Sequence, residues 1–194
     1  MEPGSQTWFP NCSNLVEFCS LKTLLTHFFN FRRGRKLIEA IELIKNFEGF
    51  RDKPYLCPAG YWTCGFGHVI IGQDGEMLKG AKDKDEAFGI FNTPLTQKQA
   101  SELLADDLMP VVSQITRLVK VPLNNNQLGA LVSFVFNVGA GAFQNSTLLK
   151  ILNQGHYDKV PEQFLRWTKA GKIVLSGLVK RRSAEVKLWL LPGV

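Results

Sequence analysis

No stretch of this 194-residue chain reaches the roughly 18 consecutive apolar residues that a membrane-spanning helix needs. The nearest candidate, "LVEFCSLKTLLTHFF" at 15–29, is interrupted by Glu17, Lys22 and His27. The chain opens "MEPGSQ", with no basic start, and no small-residue cleavage site follows, so a secretory signal is not expected. Action outside the cytoplasm would need another export route. Histidine is scarce and scattered at His27, His68 and His156. The four cysteines, Cys12, Cys19, Cys57 and Cys64, fall in two C-x6-C pairs, which is not a usual zinc spacing. No metal site and no cofactor are therefore expected. An even cysteine count permits two bridges, but a chain of this length does not need them for stability. There is no internal repeat, no low-complexity tract, no helix-turn-helix spacing, no RNA-binding strand motif and no zinc finger, so nucleic acid is not an expected partner.

What is present is an ordinary globular composition, 45% hydrophobic and 21% charged, with a formal net charge of +6. The positive balance predicts attraction to a polyanion such as a membrane surface or an acidic wall polymer. Residues 1–36 read as an N-terminal extension, with an amphipathic helix over about 15–31 or a regulatory segment, ending in the basic linker "FRRGRK". The compact domain is expected over 37–194. "LIEAIELIKNFEG" puts Leu37, Ile38, Ile41, Ile44 and Phe47 at helical spacing, and Gly49 suits the stop. "YLC" and "YWTCGF" flank the turn "PAG", and "HVIIG" leads into "QDG", which predicts a small antiparallel sheet.

From residue 96 the pattern is helical. "TQKQ" matches a capping box, with Thr96 as cap and Gln99 reaching back. Leu103, Leu104, Leu108, Val111, Val112, Ile115 and Leu118 form one apolar stripe, with Pro110 expected to kink it. "NNNQLGALVSFVFNVG" predicts a buried helix with an Asn cap. Shorter helices follow at "NSTLLKILNQG", closed by Gly155, and at about 159–167; the last spans about 177–190. The expected class is α+β, a small antiparallel β lobe followed by a larger helical lobe, with a cleft between them.

Glu48 follows Leu37, Ile41 and Ile44 at helical offsets, on the apolar face of its own helix. It also stands at the helix C-terminus, where the backbone dipole is negative. Both effects oppose ionisation, and a raised carboxyl pKa is what a general acid needs near neutral pH. The commoner reading of such a residue is a solvated helix-end Glu. Along "YWTCGFG", alternation puts Tyr61, Thr63 and Gly65 on one face and Trp62, Cys64 and Phe66 on the other. If Trp62 and Phe66 face the core, Thr63 faces a cleft; equally, threonine is simply a good strand residue. Cys64 then reads as a small core hydrophobe.

"EGFRDKPYLCPAGYWTCGFGHV" resembles the signature of the phage-type lysozymes, glycoside hydrolase family 24, whose order is E-x8-[D/C]-x5-T followed by a G-x-G-H turn. Glu48, Cys57, Thr63 and "GFGH" at 65–68 match it. The likeness continues over about 37–191, through "NQLGALVSFVFNVGAGAFQNSTLL" and "GLVKRRSAEVKLW". It implies a lysozyme-like fold and hydrolysis of the β-1,4 bond between N-acetylmuramic acid and N-acetylglucosamine in the glycan strands of peptidoglycan, by a monomer made in the bacterial cytoplasm and acting on the wall. Glu48 would protonate the leaving oxygen, with Cys57 and Thr63 positioning the attacking water, in an inverting reaction. By the same resemblance Val69, Phe136, Asn137, Ser146 and Gln163 would contact or line the sugar site. Arg181 or Arg182 would pair with Glu48, and His68 would be a structural hydrogen-bonder.

Cys57 departs from the commoner Asp of the family. A thiol with the ordinary pKa near 8.5 is only about a few per cent thiolate at pH 7, so it replaces a carboxylate poorly. Arg51, Lys53, Arg181 and Arg182 are candidate cations to help it. Three readings are open: a working thiolate or polar stand-in, a redox cage bonded to Cys12 or Cys19, or the mark of a dead enzyme that only binds glycan. In the final segment Arg166, Lys169, Lys172, Lys180, Arg181, Arg182 and Lys187 face only Glu185, which reads as a basic amphipathic surface or as an ordinary solvated face. The rival to the enzyme is accordingly a non-catalytic glycan-binding or membrane-disrupting protein on the same scaffold.

Overall fold

The computed structural model describes residues 30–193, with side chains from Leu37 onward. The expected helix over 15–31 and the cysteines Cys12 and Cys19 lie outside the described residues, apart from the helix's last two positions. The first described helix, α1 (Asn30–Glu48), begins upstream of Leu37 and ends at Gly49, whose φ of 70° ordinary side chains avoid. Its buried stripe is Leu37, Ala40, Ile44 and Glu48. Ile38, expected on that stripe, is 51% exposed, because Ala40 rather than Ile38 completes the face turned to the core.

Three antiparallel strands follow in the order β1 (Arg51–Leu56), β2 (Trp62–Gly65) and β3 (His68–Val69). The β1–β2 register is irregular between Arg51 and Tyr55. Pro54, which has no N–H to give the ladder, sits in that interval. The irregularity places Tyr55 opposite Thr63, and Thr63 is in turn opposite Val69. Trp62 and Cys64 join Ile70, Leu78 and Ala87 in the small core of the sheet lobe. Phe66, expected on the same face, instead enters the helical core, its ring 5.5 Å from that of Phe50. The change comes at Gly65, whose φ of 62° turns the chain and whose missing Cβ would lie 3.1 Å from Ala100 Cβ.

A short helix absent from the sequence reading, α2 (Lys84–Ile90), covers the sheet lobe and buries only Ala87, too little apolar periodicity to see in advance. Next come α3 (Gln97–Leu118), with the expected Thr96–Gln99 capping box, and α4 (Asn125–Val138), with a second capping box from Asn124 and Gln127. α3 runs through Pro110 as one element; the proline costs it the bond that the missing N–H would make. Leu103 of α3 packs against the small core, while Leu104, Leu108, Val112 and Ile115 enter the large one, so this helix ties the two lobes together. The nearly all-apolar α4 is the buried centre of the helical lobe.

Around it lie α5 (Ala140–Gln144), α6 (Thr147–Asn153), α7 (Val160–Leu165) and α8 (Ser176–Leu190). A hairpin that the sequence reading did not contain, β4 (Lys169–Ala170) paired with β5 (Ile173–Val174), precedes α8. Strands of two residues are too short to show alternation. The result is the expected α+β, lysozyme-like arrangement of a small sheet lobe and a larger helical lobe.

Candidate active site

Glu48 ends α1 at 5% exposure. Arg181, near the start of α8, donates from Nη1 to Glu48 Oε1 at 2.6 Å. Burial pushes the Glu48 carboxyl pKa up, and the charge and hydrogen bond of Arg181 oppose that rise without cancelling it. The other oxygen, Oε2, is buried and has no hydrogen-bond partner among the described residues. One oxygen is thus anchored by Arg181, and its twin has no such anchor among the described residues.

Arg182, the other candidate partner for Glu48, turns elsewhere. Its Nη2 donates to Asn137 Oδ1 and to Glu185 Oε1, both at 2.9 Å, and its Nε lies 2.8 Å from Glu185 Oε2 but off the N–H axis. Ser133 donates to Glu185 Oε1 at 2.8 Å. Arg181 Nε, 3.4 Å from the same Oε1, joins the two pairs into the series Glu48, Arg181, Glu185, Arg182. Burial raises the pKa of Glu185, opposed by Arg182 and Arg181, and draws that of Arg182 down to about 10, opposed by Glu185. This corrects the expectation of a basic surface over the whole final segment. Arg181, Arg182 and Glu185 point inward, and the outward cations are Arg166, Lys169, Lys172, Lys180 and Lys187.

On the sheet side, Cys57 occupies the turn after β1, its N–H donating to the Tyr61 carbonyl at 2.8 Å. It is 4% exposed and packs with Val69, against Tyr55, Tyr61 and Met77. Thr63 is also buried, and its hydroxyl donates to the Tyr55 carbonyl at 3.2 Å. The Tyr55 phenol joins these groups. Its pKa is raised first by burial and also by the nearby charges of Cys57 and Glu48, with Thr63 and Arg51 opposing. Cys57 thus packs with Val69 against Tyr55, Thr63 is bonded to the Tyr55 backbone, and the charge of Glu48 is felt at the Tyr55 phenol. Tyr55 was not singled out from the sequence, although its place in "KPYLC", two residues before Cys57, was a usable signal. Cys64, on the opposite face of β2, has its pKa pushed up to about 12 by burial and the charge of Asp107.

The remaining expected sugar contacts are more internal. Asn137 belongs to the Arg182 network, and Phe136 is half-buried against the large core. Ser146 caps α6, accepting from Leu149 N at 3.0 Å and donating to the Phe143 carbonyl at 2.7 Å. Gln163 is buried and accepts from Arg166 at 3.2 Å. His68 Nδ1 lies 3.0 Å from Asp107 Oδ2, pinning β3 to α3. Asp107→Asn is expected to cost about 0.5–1.5 kcal/mol of stability, the net scale of one ordinary hydrogen bond, since the pair is partly exposed, with peptidoglycan turnover intact. Thermal unfolding beside a clearing assay would check this, and an unchanged melting temperature would refute it.

A carboxyl biased toward protonation, set at a helix end against a hairpin carrying a thiol and a hydroxyl, suits acid-assisted cleavage of a glycosidic bond. Comparison with known proteins decides the family. The description "Phage lysozyme" matches residues 45–185.

The chain belongs to the phage lysozyme family.

It is 40% identical over 155 residues to the endolysin of Acyrthosiphon pisum secondary endosymbiont phage 1, spanning 78% of this chain and 94% of that one. It is 40% identical over 152 residues to the endolysin of Bacillus phage B103, 77% of this chain but only 52% of that protein. Among solved structures it is similar to a single-site mutant of P22 lysozyme, with a TM-score of 0.66 and 36% identity over 79% of this chain and 97% of the other. As a phage lysozyme it is a lysozyme-type glycoside hydrolase that acts on peptidoglycan.

Proposed function

We propose that this phage lysozyme cleaves the β-1,4 bond between N-acetylmuramic acid and N-acetylglucosamine, with Glu48 as general acid and with Cys57 and Thr63 holding the water. The observation that carries the reading is the state of Glu48: buried, raised in pKa, one oxygen gripped by Arg181 and the other unpartnered among the described residues. In the reaction the water oxygen bonds to the anomeric carbon as the carbon–oxygen link to the leaving sugar breaks. The leaving oxygen takes the Glu48 proton, and the water's surplus proton is taken by the Cys57 sulfur, which enters the step as the thiolate. Val69 packs beside Cys57.

The test is release of reducing ends from purified peptidoglycan. Alkylation of Cys57, verified by peptide mass mapping, is expected to silence release, whereas Cys57→Asp keeps or raises it, since a carboxylate accepts a proton from water more readily than a neutral thiol. Full turnover after alkylation would remove Cys57 from the mechanism. The caged reading involves Cys12 or Cys19, outside the described residues, and is tested by counting thiols in the native protein before and after reduction.

A second reading has its own support. The β4–β5 hairpin exposes Ile173 at 68% and Val174 at 55%, with Lys172 just before them and Lys169 opposite Val174, and Arg166 and Lys180 are exposed on the flanking segments. Apolar side chains among cations suit an anionic membrane or wall polymer. Dye release from anionic liposomes without new reducing ends would favour membrane disruption over hydrolysis. Among the described residues no helix is long and apolar enough to cross a membrane.

A further inference from the structure

Arg51 opens β1 three residues after Glu48, so the two Cα atoms lie within about 11 Å of each other. Its guanidinium carbon is 5.8 Å from the centre of the Tyr55 ring, within the range at which an aromatic face holds a cation. Tyr55 in turn packs against Cys57 and Val69, and stands opposite Thr63 in the β1–β2 ladder. The cation is thus held, across one aromatic ring, beside the residues given the attacking water. Arg51 is nevertheless exposed. Among the described residues it has no carboxylate partner; the ion pairs there belong to Lys45, His68, Lys82, Arg181 and Arg182. A guanidinium resting on a ring keeps its N–H edge available, and that edge matches a carboxylate as a two-point fork.

Peptidoglycan carries such groups next to the bond in question. Each N-acetylmuramic acid bears a lactyl substituent whose carboxyl is either free or extended by a peptide with carboxylates of its own, whereas N-acetylglucosamine is neutral. We propose that Arg51 is a substrate-binding residue that pairs with a carboxylate of this muramyl substituent and so selects charged wall glycan. The muramyl unit is also the one whose anomeric carbon the water attacks, so a cation beside Cys57 and Thr63 is placed to seat it. Arg51 makes and breaks no covalent bond. Its contact is present before and during the reaction alike, and therefore serves affinity rather than the chemical step. The inference rests on the hydrolytic reading above.

The experiment compares wild type, Arg51→Gln and Lys84→Gln on soluble glycan strands of three kinds: with intact stem peptides, with their carboxyl groups amidated, and stripped of peptide so that only the lactyl carboxylate remains. Reducing-end release gives kcat and KM, and calorimetry in a Glu48→Gln background gives affinity. Arg51→Gln is expected to raise KM on intact strands about five- to tenfold, the scale of one charge-assisted contact at a solvent-accessible rim, with the loss carried by KM rather than kcat. Amidation raises the wild-type KM by a similar factor and removes the difference between wild type and Arg51→Gln. Lys84→Gln, which takes the same charge from α2, stays with wild type throughout. A difference that persists on stripped strands names the lactyl carboxylate as the partner, and one lost there names the stem peptide; both support the pairing. Equal KM for wild type and Arg51→Gln on intact strands overturns the inference. So does a loss that amidation leaves in place, which would assign Arg51 to Cys57 or to the fold, and so does an equal loss in Lys84→Gln, which would make the effect one of net charge. If wild type releases no reducing ends from any strand, the hydrolytic reading falls, while the affinities still decide the pairing of Arg51.

Discussion

Glu48→Gln is expected to lower the release of reducing ends by about 10²–10⁴-fold, the usual worth of a positioned general acid, while the variant still sediments with insoluble peptidoglycan. Glutamine keeps the shape and can still accept from Arg181 Nη1, but the amide nitrogen that replaces Oε2 has no transferable proton. Binding that survives while turnover vanishes separates the acid from a mere glycan contact. The wild-type pH profile carries the same signature. The Glu48 carboxyl is raised above 4.5 by burial, so the competent protonated form persists past the ordinary carboxylate range and is lost as pH climbs through the raised value. A Glu48→Gln enzyme that clears peptidoglycan at the wild-type rate would end this assignment.

The largest effect on stability is expected at Arg182. Replacing it by methionine leaves Glu185 buried without its closest cation, and breaking one side of a buried pair costs about 3–5 kcal/mol. That is a large part of the roughly 5–15 kcal/mol by which a typical domain is stable. Arg181 Nε, at 3.4 Å and already serving Glu48, is a poor substitute. Removing both charges, as Arg182→Met with Glu185→Leu, is expected to restore much of the loss, because no ion then remains uncompensated. Urea unfolding of the two singles and the double reads this directly, and strictly additive losses would refute the coupling. Proton linkage gives a companion result. Both Glu48 and Glu185 are raised in the folded chain, so the folded state binds the more protons above pH 4.5. Their contribution to stability is therefore full below that pH and declines as pH rises through the raised values.

Much of the fold is local and was legible. The Thr96–Gln99 box, the Asn cap of α4, the stripe of α3 and the stop at Gly49 each need only a few consecutive residues, and each stands in the structure where the pattern puts it. The misses share a cause. α5 (Ala140–Gln144) is a single turn or so in a Gly-rich stretch, and β4 and β5 are two residues each, below the length at which a period can show. Phe66 left its expected face because the turn at Gly65 resets the alternation.

The candidate site divides along the same line. Helical offsets put Glu48 on an apolar face, and the hairpin pattern put Thr63 on a strand with Cys57 in the turn before it. Those statements depend on spacing alone. Which arginine meets Glu48, across 133 residues of chain, was beyond spacing, since Arg181 and Arg182 are adjacent and only the packing of α8 on α1 and α4 separates their directions. The inward turn of Glu185, the grip of Asp107 on His68 and the place of Tyr55 were hidden for the same reason. Sequence by itself determined the longer elements and the family, because hydrogen bonding along the backbone and apolar periodicity act over a few residues. Tertiary structure alone decided the charge partners, because desolvation and Coulomb energy depend on which groups the packed core brings within a few ångströms.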